Sequence, residues 1–172
     1  MHQPNPQTWT LEPNYKISTD KALLSIRSIN SVFAQDWMYW TASYPEEVLA
    51  RIIENSLCFG VYKTTTSTSP DSPDVHEQIG FARIITDNVT FAYLTDLYIL
   101  PEYQGAGLGR WLIDCVDEVL KEMPYLRWAM LRTSSVKSKE AYEAKLRMSV
   151  LAEVDPNRGI VMGRRGGGCG LT

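Results

Sequence analysis

The sequence predicts an α/β (α+β) fold in which helices cover both faces of one central sheet. Short β-like apolar runs alternate with longer stretches in which apolar residues recur at helical spacing. The resulting order is strand, two helices, three strands, helix, strand, helix and two strands. A chain of 172 residues is long enough for one domain with a sizeable core.

Four helices are predicted, and apolar residues at helical spacing mark three of them. Apolar residues at positions 22, 23, 26, 29, 32 and 33 predict the first helix over 21–35. A second helix is expected to end near residue 55, and a short fourth one covers 138–146. The third follows a glycine-rich turn, has apolar residues at 108, 111, 112, 115, 116, 119, 120 and 123, and ends before Pro124.

Seven strands are predicted, at residues 15–18, 57–63, 78–86, 91–100, 126–132, 150–154 and 160–164. Residues 1–14 contain three prolines and are expected to form an N-terminal arm ahead of a single domain at 15–165. Residues 64–76 are polar and interrupted by proline, which predicts a flexible hairpin insertion. The glycine-rich tail at 166–172 is expected to be disordered.

Composition disfavours several classes of function. A net charge of −3 and a pI near 5.4 give no basic footprint, so we expect no nucleic-acid partner. The chain has no apolar run of membrane-spanning length and no secretory signal, so we expect a cytoplasmic protein with no membrane partner. Its three cysteines lack metal-ligand spacing, and His2 and His76 lie in segments expected to be mobile. A metal site and a histidine-activated nucleophile are therefore both disfavoured.

The glycine-rich turn that precedes the third helix is the most informative segment. Glycines at 105, 107 and 109 are expected to take up positive φ and to expose backbone N–H groups to a phosphorylated ligand. A Walker loop is excluded because no Lys-Ser or Lys-Thr follows Gly109. A dinucleotide fingerprint fails because residue 110 is arginine where glycine is required. A tight strand-to-helix turn without a ligand is the structural alternative.

The remaining possibility is the pyrophosphate loop Gln/Arg-x-x-Gly-x-Gly/Ala, which Gln104, Gly107 and Gly109 match in full. Residues 15–165 resemble the GNAT superfamily of acyl-CoA-dependent N-acetyltransferases through this loop, its Pro101-Glu102-Tyr103 lead-in and the element order. Within that superfamily they resemble a subgroup of small, single-domain, mostly uncharacterised members. The resemblance implies a mixed, mainly antiparallel sheet of about seven strands flanked by about four helices. It also implies acetyl-CoA as acyl donor, with no metal, and a small-molecule primary amine as acceptor.

The same resemblance implies which residues bind the cofactor. The backbone of the preceding strand would pair with the pantetheine arm, and the N–H groups of the loop would bind the pyrophosphate. Arg110 would add charge near the phosphates or would simply be a solvated first-turn residue. The expected cofactor-binding residues are Leu97, Tyr98, Ile99, Gln104, Gly105, Ala106, Gly107, Leu108, Gly109 and Arg110.

Two residues are the candidates for proton transfer. By the resemblance, Tyr142 on the fourth helix is the general acid for the departing CoA thiolate, or else a packed aromatic residue. The family usually places Gly-Phe or Gly-Met four residues after this tyrosine, whereas here Arg147-Met148 lies one residue further along. Asp96 interrupts an apolar strand. It is a candidate base, or a partner for backbone groups or for an arginine such as Arg83.

An aromatic segment between the first two helices is expected to form a wall of the acceptor site, or alternatively to pin a loop to the core. The candidate substrate-binding residues are Trp37, Tyr39, Trp40 and Tyr93. The alternative functions are a catalytically inert acyl-CoA-binding module, and a transferase with another acyl donor or a peptide or protein amine acceptor. Five Trp and nine Tyr residues are compatible with a covered surface, so a homodimer stays open.

Overall fold

The computed structural model describes residues 5–65, 75–152 and 160–165. It contains one mixed, mostly antiparallel sheet of eight strands together with four α-helices, which confirms the predicted fold class. The strands are β1 Thr8–Leu11, β2 Tyr15–Ser18, β3 Leu57–Thr65, β4 Val75–Thr86, β5 Phe91–Ile99, β6 Trp128–Thr133, β7 Ser149–Ala152 and β8 Ile160–Arg165. The helices are α1 Ile26–Phe33, α2 Glu46–Glu54, α3 Leu108–Lys121 and α4 Val136–Leu146.

The strand order across the sheet is β1-β2-β3-β4-β5-β6-β8-β7. Strands β1 and β2, β2 and β3, β6 and β8, and β7 and β8 pair antiparallel. Strands β5 and β6 pair in parallel, with Phe91 opposite Trp128 and Leu94 opposite Leu131. Leu94 is the last β5 residue that pairs with β6 in this register, and β5 continues beyond it to Ile99.

One strand lies where the sequence predicts only an arm. Strand β1 pairs along β2 in the register Thr8 to Ser18 through Leu11 to Tyr15. The indole ring of Trp9 stacks on the ring of Phe59, with centroids 6.1 Å apart. The prolines of this region flank β1 and do not interrupt it, so its backbone remains able to pair.

The predicted first helix is shorter than expected because two caps divide it. The carboxylate of Asp20 accepts a hydrogen bond from Ala22 N and starts a single 3₁₀ turn at Lys21–Leu23. The hydroxyl of Ser25 then accepts from Ser28 N and starts α1 at Ile26. Each capping side chain satisfies a backbone donor that a continuous helix would bond to a carbonyl.

Both ends of the predicted insertion are part of the sheet. Strand β3 extends to Thr65 and β4 begins at Val75, while residues 66–74 lie outside the described residues. The Nδ1 of His76, on β4, lies 3.1 Å from Thr64 Oγ1, and its Nε2 lies 3.1 Å from Lys16 Nζ. The predicted tail at 166–172 also lies outside the described residues.

The chain divides into two compact units. The first contains the residues up to Arg83 together with Asp96–Gln104. Its core packs the inner faces of α1 and α2 against β3, β4 and β5 through the buried residues Ile29, Val32, Phe33, Met38, Leu49, Ile53, Cys58, Phe81 and Tyr98. Burial of side chains of this size stabilises a fold by about 1.5–3 kcal/mol each.

The second unit contains Ile84–Thr95 and the residues from Gly105 onward. Its longest element, α3, buries a continuous apolar stripe made by Leu108, Leu112, Cys115, Val116, Val119 and Leu120. Helices α3 and α4 are joined by an ion pair in which Lys145 Nζ lies 2.9 Å from the carboxylate of Asp114. This unit thus holds the start of α3 and the whole of α4 on one packed framework.

Candidate functional site

The turn that follows β5 is fixed by its own polar groups. Residues Pro101–Tyr103 form a single 3₁₀ turn, and Gln104 N donates to Pro101 O at 3.2 Å. The side-chain amide of Gln104 reaches back and donates from Nε2 to Ile99 O at 2.9 Å. The side chain of Gln104 therefore fixes the path of the backbone as it leaves β5, in addition to the hydrogen bond that its backbone N–H donates.

Two of the three loop glycines have the positive φ that the sequence predicts. The φ angles of Gly105 and Gly107 are 87° and 82°, where side chains are strained. A Cβ atom at either position would meet no atom within 4 Å, so backbone conformation and not space requires glycine there. Gly109 lies inside α3, and the expectation of positive φ is wrong for it.

The first turn of α3 offers unused donors. Gly107 is the N-cap and provides no side-chain hydrogen bond, and the first turn contains no acidic residue. The N–H groups of the first helical residues have no carbonyl four positions earlier in the helix to accept them. Leu108 is buried and anchors this turn, whereas Ala106 and Arg110 are exposed. Free N–H groups and the positive end of the helix dipole together favour an anion at this point.

Tyr142 lies on α4. The N-cap of this helix is Ser135, whose hydroxyl accepts a hydrogen bond from Ser138 N at 3.2 Å. The tyrosine is 8% exposed, and burial raises the pKa of its phenol to about 12. None of the hydrogen bonds found in the described residues involves its hydroxyl. A phenol in this environment stays protonated at neutral pH and keeps its proton available for a bound partner.

Asp96 is held by an arginine, which is one of the alternatives that the sequence leaves open. Its carboxylate Oδ2 lies 2.7 Å from Arg83 Nε, and Arg83 Nη1 donates to Ser56 Oγ at 3.2 Å. Asp96 is 7% exposed and has a φ of 53°, unusual for a strand residue that is not glycine. The carboxylate is therefore already engaged in a charge-assisted hydrogen bond with Arg83.

The aromatic candidates lie at three different places. Trp37 is half-buried and packs edge-on against Tyr98, with ring centroids 6.1 Å apart. Tyr39 and Trp40 contact each other edge-on at 5.0 Å and are 69% and 44% exposed. Tyr93 lies on β5 opposite Met130 of β6.

Trp37 also lines a cleft in the first unit that sequence reasoning missed. The cleft has a volume of about 650 Å³ and lies against α1, the start of β4 and the turn after β5. Tyr39 and Trp40 do not line it. Its acidic residues, Glu77 and Glu102, come from segments far apart in the sequence, and no local pattern links them. We refer below to this space as the acidic cleft.

Comparison with known proteins identifies the family. A model of the GNAT acetyltransferase domain matches residues 70–145. A Gibberella zeae protein classed among the acetyltransferases is 39% identical over 162 residues, which cover 90% of this chain and 90% of that protein. The chain belongs to the GNAT acetyltransferase family.

Two crystal structures show how GNAT proteins resemble this chain. A GNAT-family protein from Xanthomonas campestris pv. campestris has a TM-score of 0.61 and 34% identity, over 77% of this chain and 84% of its own. Spermidine N-acetyltransferase from Vibrio cholerae, solved with CoA and spermine, has a TM-score of 0.62 and 16% identity, over 93% of this chain and 95% of its own. The second likeness is one of fold.

The departure from the usual GNAT sequence after Tyr142 places an arginine where the helix end has a left-handed backbone conformation. Arg147 is the C-cap of α4 and has left-handed φ and ψ angles of 52° and 32°. This is the conformation that glycine most often adopts at a helix end. The chain then turns so that Met148 N donates to Tyr142 O at 3.4 Å. The arginine therefore occupies a glycine-like position at some cost in backbone strain.

Metal and membrane features are absent from the described parts of this GNAT protein. In residues 5–65, 75–152 and 160–165, no group of three or more His, Cys, Asp and Glu side chains is arranged to hold a metal ion. No helix within the same ranges combines the length and the hydropathy needed to cross a bilayer.

Proposed function

We propose that this GNAT protein transfers the acetyl group of acetyl-CoA to a primary amine of a small molecule. The observation that carries the proposal is the uncapped start of α3, which follows two glycines of positive φ. Acetyl-CoA is the donor that the family uses, and its pyrophosphate needs several N–H donors at one place. The N–H groups of residues 104–110 would bind it, and exposed Arg110 would add a positive charge.

The pantetheine arm of acetyl-CoA would lie along the end of β5. The register of β5 with β6 covers Phe91–Leu94, whereas β5 itself runs to Ile99. On the opposite edge of β5, Leu100 N donates to Ile79 O of β4 at 2.9 Å. In the proposal, backbone groups of Leu97–Ile99 pair with the amides of pantetheine as an added strand would.

Acetyl transfer then proceeds by direct attack. The neutral amine forms a bond to the thioester carbonyl carbon, and the carbon–sulfur bond breaks as the tetrahedral intermediate collapses. The sulfur leaves as a thiolate and takes the phenolic proton of Tyr142, which is the general acid in this proposal. The nitrogen loses its extra proton to solvent, and solvent returns a proton to the phenolate. We assign no proton transfer to Asp96, because Arg83 already holds its carboxylate.

Among the aromatic candidates, Trp37 is the one that we place at the acceptor, because it lines the acidic cleft. Tyr39, Trp40 and Tyr93 stay secondary candidates for contacts with a larger acceptor.

Thermal unfolding with acetyl-CoA tests the cofactor site. A ligand at 100 times its Kd stabilises the native state by about 2.7 kcal/mol, which corresponds to roughly 5–11 °C for a chain of this size. A Gly107→Ala variant should lose most of this shift, because alanine disfavours a φ of 82°. Asn88→Ala is the matched control: Asn88 has a φ of 60° in a turn outside the loop, so its variant should lose stability but keep the shift.

Release of free CoA thiol with a panel of small amines tests the transfer itself. Amine-dependent release by the wild type, reduced in Gly107→Ala, is the expected result. Stabilisation by acetyl-CoA without release for any amine would identify an inert acyl-CoA-binding module and refute the proposed reaction. No stabilisation at millimolar acetyl-CoA would refute the cofactor site as well.

A further inference from the structure

Asp96 has a left-handed backbone conformation inside a β-strand. Its φ is 53°, whereas residues in strands normally have a negative φ. The other described non-glycine residues with positive φ are Asn88, between β4 and β5, and Arg147, at the end of α4. This conformation is costly for a residue that carries a side chain, and it persists only where the surroundings enforce it.

A hydrogen-bonded chain of side chains connects Asp96 to α2. Arg83, on β4, donates from Nε to Asp96 Oδ2 at 2.7 Å and from Nη1 to Ser56 Oγ at 3.2 Å. Ser56 in turn donates from Oγ to Ile52 O of α2 at 2.8 Å. Asp96 and Ser56 are buried and the Arg83 side chain is 17% exposed, so water has little access to this network. The strained residue of β5 is thus tied to the last turn of a helix.

Asp96 lies where the pairing of β5 changes. The register with β6 covers Phe91–Leu94, and the segment Leu97–Ile99, which would pair with pantetheine, follows Asp96 directly. On the β4 side, Leu100 N donates to Ile79 O at 2.9 Å. Rotation about a single backbone bond reorients the rigid peptide groups that follow it. The φ of Asp96 therefore sets the directions of the N–H and C=O groups of Leu97–Ile99.

We propose that Arg83 is a positioning residue for the acyl donor. By holding the carboxylate of Asp96, it keeps β5 in the conformation that presents Leu97–Ile99 to the pantetheine arm. This inference rests on the proposed acetyl-CoA site and adds to it two residues that act through the backbone of β5. Without Arg83, Asp96 can relax to a negative φ, and only the fraction of molecules that stay left-handed binds acetyl-CoA with full affinity.

Two ligands separate the pantetheine site from the pyrophosphate site. Acetyl-CoA contains both groups, whereas ADP phosphorylated on its 3′ hydroxyl is the part of CoA that lacks pantetheine. Asp96→Ala removes the acceptor for Arg83 and disfavours a positive φ, so it should raise the calorimetric Kd of acetyl-CoA about tenfold and leave the Kd of the ADP fragment unchanged. Asp96→Asn keeps an oxygen acceptor and tolerates a left-handed φ, so its Kd for acetyl-CoA should stay within about twofold of the wild type.

A double variant tests Arg83 without leaving a buried charge alone. Arg83→Met by itself deprives the buried carboxylate of its cation, which is strongly destabilising. In the double variant Arg83→Met, Asp96→Asn, residue 96 still tolerates the left-handed conformation but is no longer held in it. Its Kd for acetyl-CoA should be about fivefold higher than that of Asp96→Asn, the scale of one hydrogen bond. This comparison decides the question even if Asp96→Ala does not fold.

Arg164→Gln is the control for loss of an arginine that pairs with a buried aspartate. Arg164 Nη1 lies 2.7 Å from the Oδ1 of Asp117, and Asp117, on α3, is as buried as Asp96. The variant should lower the unfolding temperature and leave both dissociation constants unchanged. All titrations are made at a temperature at which thermal unfolding shows the variant to be native.

The outcomes distinguish this inference from the proposed function. A wild-type Kd for acetyl-CoA in Asp96→Ala, together with equal values for the two asparagine variants, would overturn the inference and leave the proposed cofactor site standing. An equal loss of affinity for both ligands, or the same loss in Arg164→Gln, would also overturn it, because the effect would then not be specific to pantetheine. Absence of acetyl-CoA binding by the wild type would refute the proposed cofactor site and the inference together.

Discussion

At the scale of single residues, Tyr142 is the group to which we assign the general-acid role. Replacement by phenylalanine keeps the ring that fills this buried position and removes only the hydroxyl. We expect kcat to fall by roughly 10²–10⁴, with the KM for acetyl-CoA little changed. Tyr125→Phe, at a tyrosine that is 66% exposed, is the matched control and should have wild-type kinetics. A normal rate for Tyr142→Phe would exclude the general-acid role.

The pH dependence of kcat provides a second test of Tyr142. Burial raises the pKa of this phenol to about 12, so the protonated, proton-donating form predominates at every pH below that value. The rate of the wild type should therefore rise as the substrate amine is deprotonated, and it should show no descending limb up to pH 10. A fall in kcat centred near pH 9 would mean that a more acidic group supplies the proton.

The sequence identifies some of these residues but does not reveal their backbone conformations or their side-chain partners. Gln104 and the glycines are recognisable because a loop of positive φ restricts residue choice. Asp96 and Arg147 also have positive φ, yet neither is a glycine, so no residue type signals it. The partner of Asp96 was one of several open alternatives, because choosing Arg83 requires knowing which side chains meet across two strands.

At the scale of elements, the C-terminal end of α4 carries measurable strain. A left-handed φ costs a non-glycine residue about 1–2 kcal/mol. Replacement by glycine regains only about half of this cost, because glycine loses more conformational freedom on folding. Arg147→Gly should therefore raise the free energy of unfolding in urea by about 0.5–1 kcal/mol. Glu140→Gly, at an exposed interior position of the same helix, is the opposite control and should lower it by about 1 kcal/mol. A destabilised Arg147→Gly protein would contradict this account of the helix end.

Apolar periodicity predicts where helices and strands lie better than it predicts where they begin and end. The strands predicted at 57–63, 78–86 and 91–100 and the helix after the glycine loop all appear where apolar spacing places them. The first helix is misjudged because Asp20 and Ser25 divide one apolar stripe into two capped pieces. Strand β1 escapes prediction because its stability comes from pairing with β2 and from contact between Trp9 and Phe59, both of which are tertiary.

At the scale of the whole molecule, the acidic cleft shows what sequence reasoning cannot reach. Its walls come from α1, from the start of β4 and from the turn after β5. Each of these segments is ordinary by itself: serines on a helix, a polar strand end, and a glutamate after a proline. Only the packing of the first unit brings these segments together around one cleft.

The two buried cysteines allow each unit to be monitored separately. Cys58 belongs to the first unit and Cys115 to the second, and burial raises the pKa of each thiol to about 12. Because alkylation requires an accessible thiolate, iodoacetamide should label both at least about 10³-fold more slowly in the native protein than in urea at pH 8. A Cys169→Ser variant restricts the measurement to these two thiols, and peptide mass spectrometry distinguishes them. Rapid native labelling of one cysteine would show that its unit opens readily, and the buried environment described for that thiol would then not hold in solution.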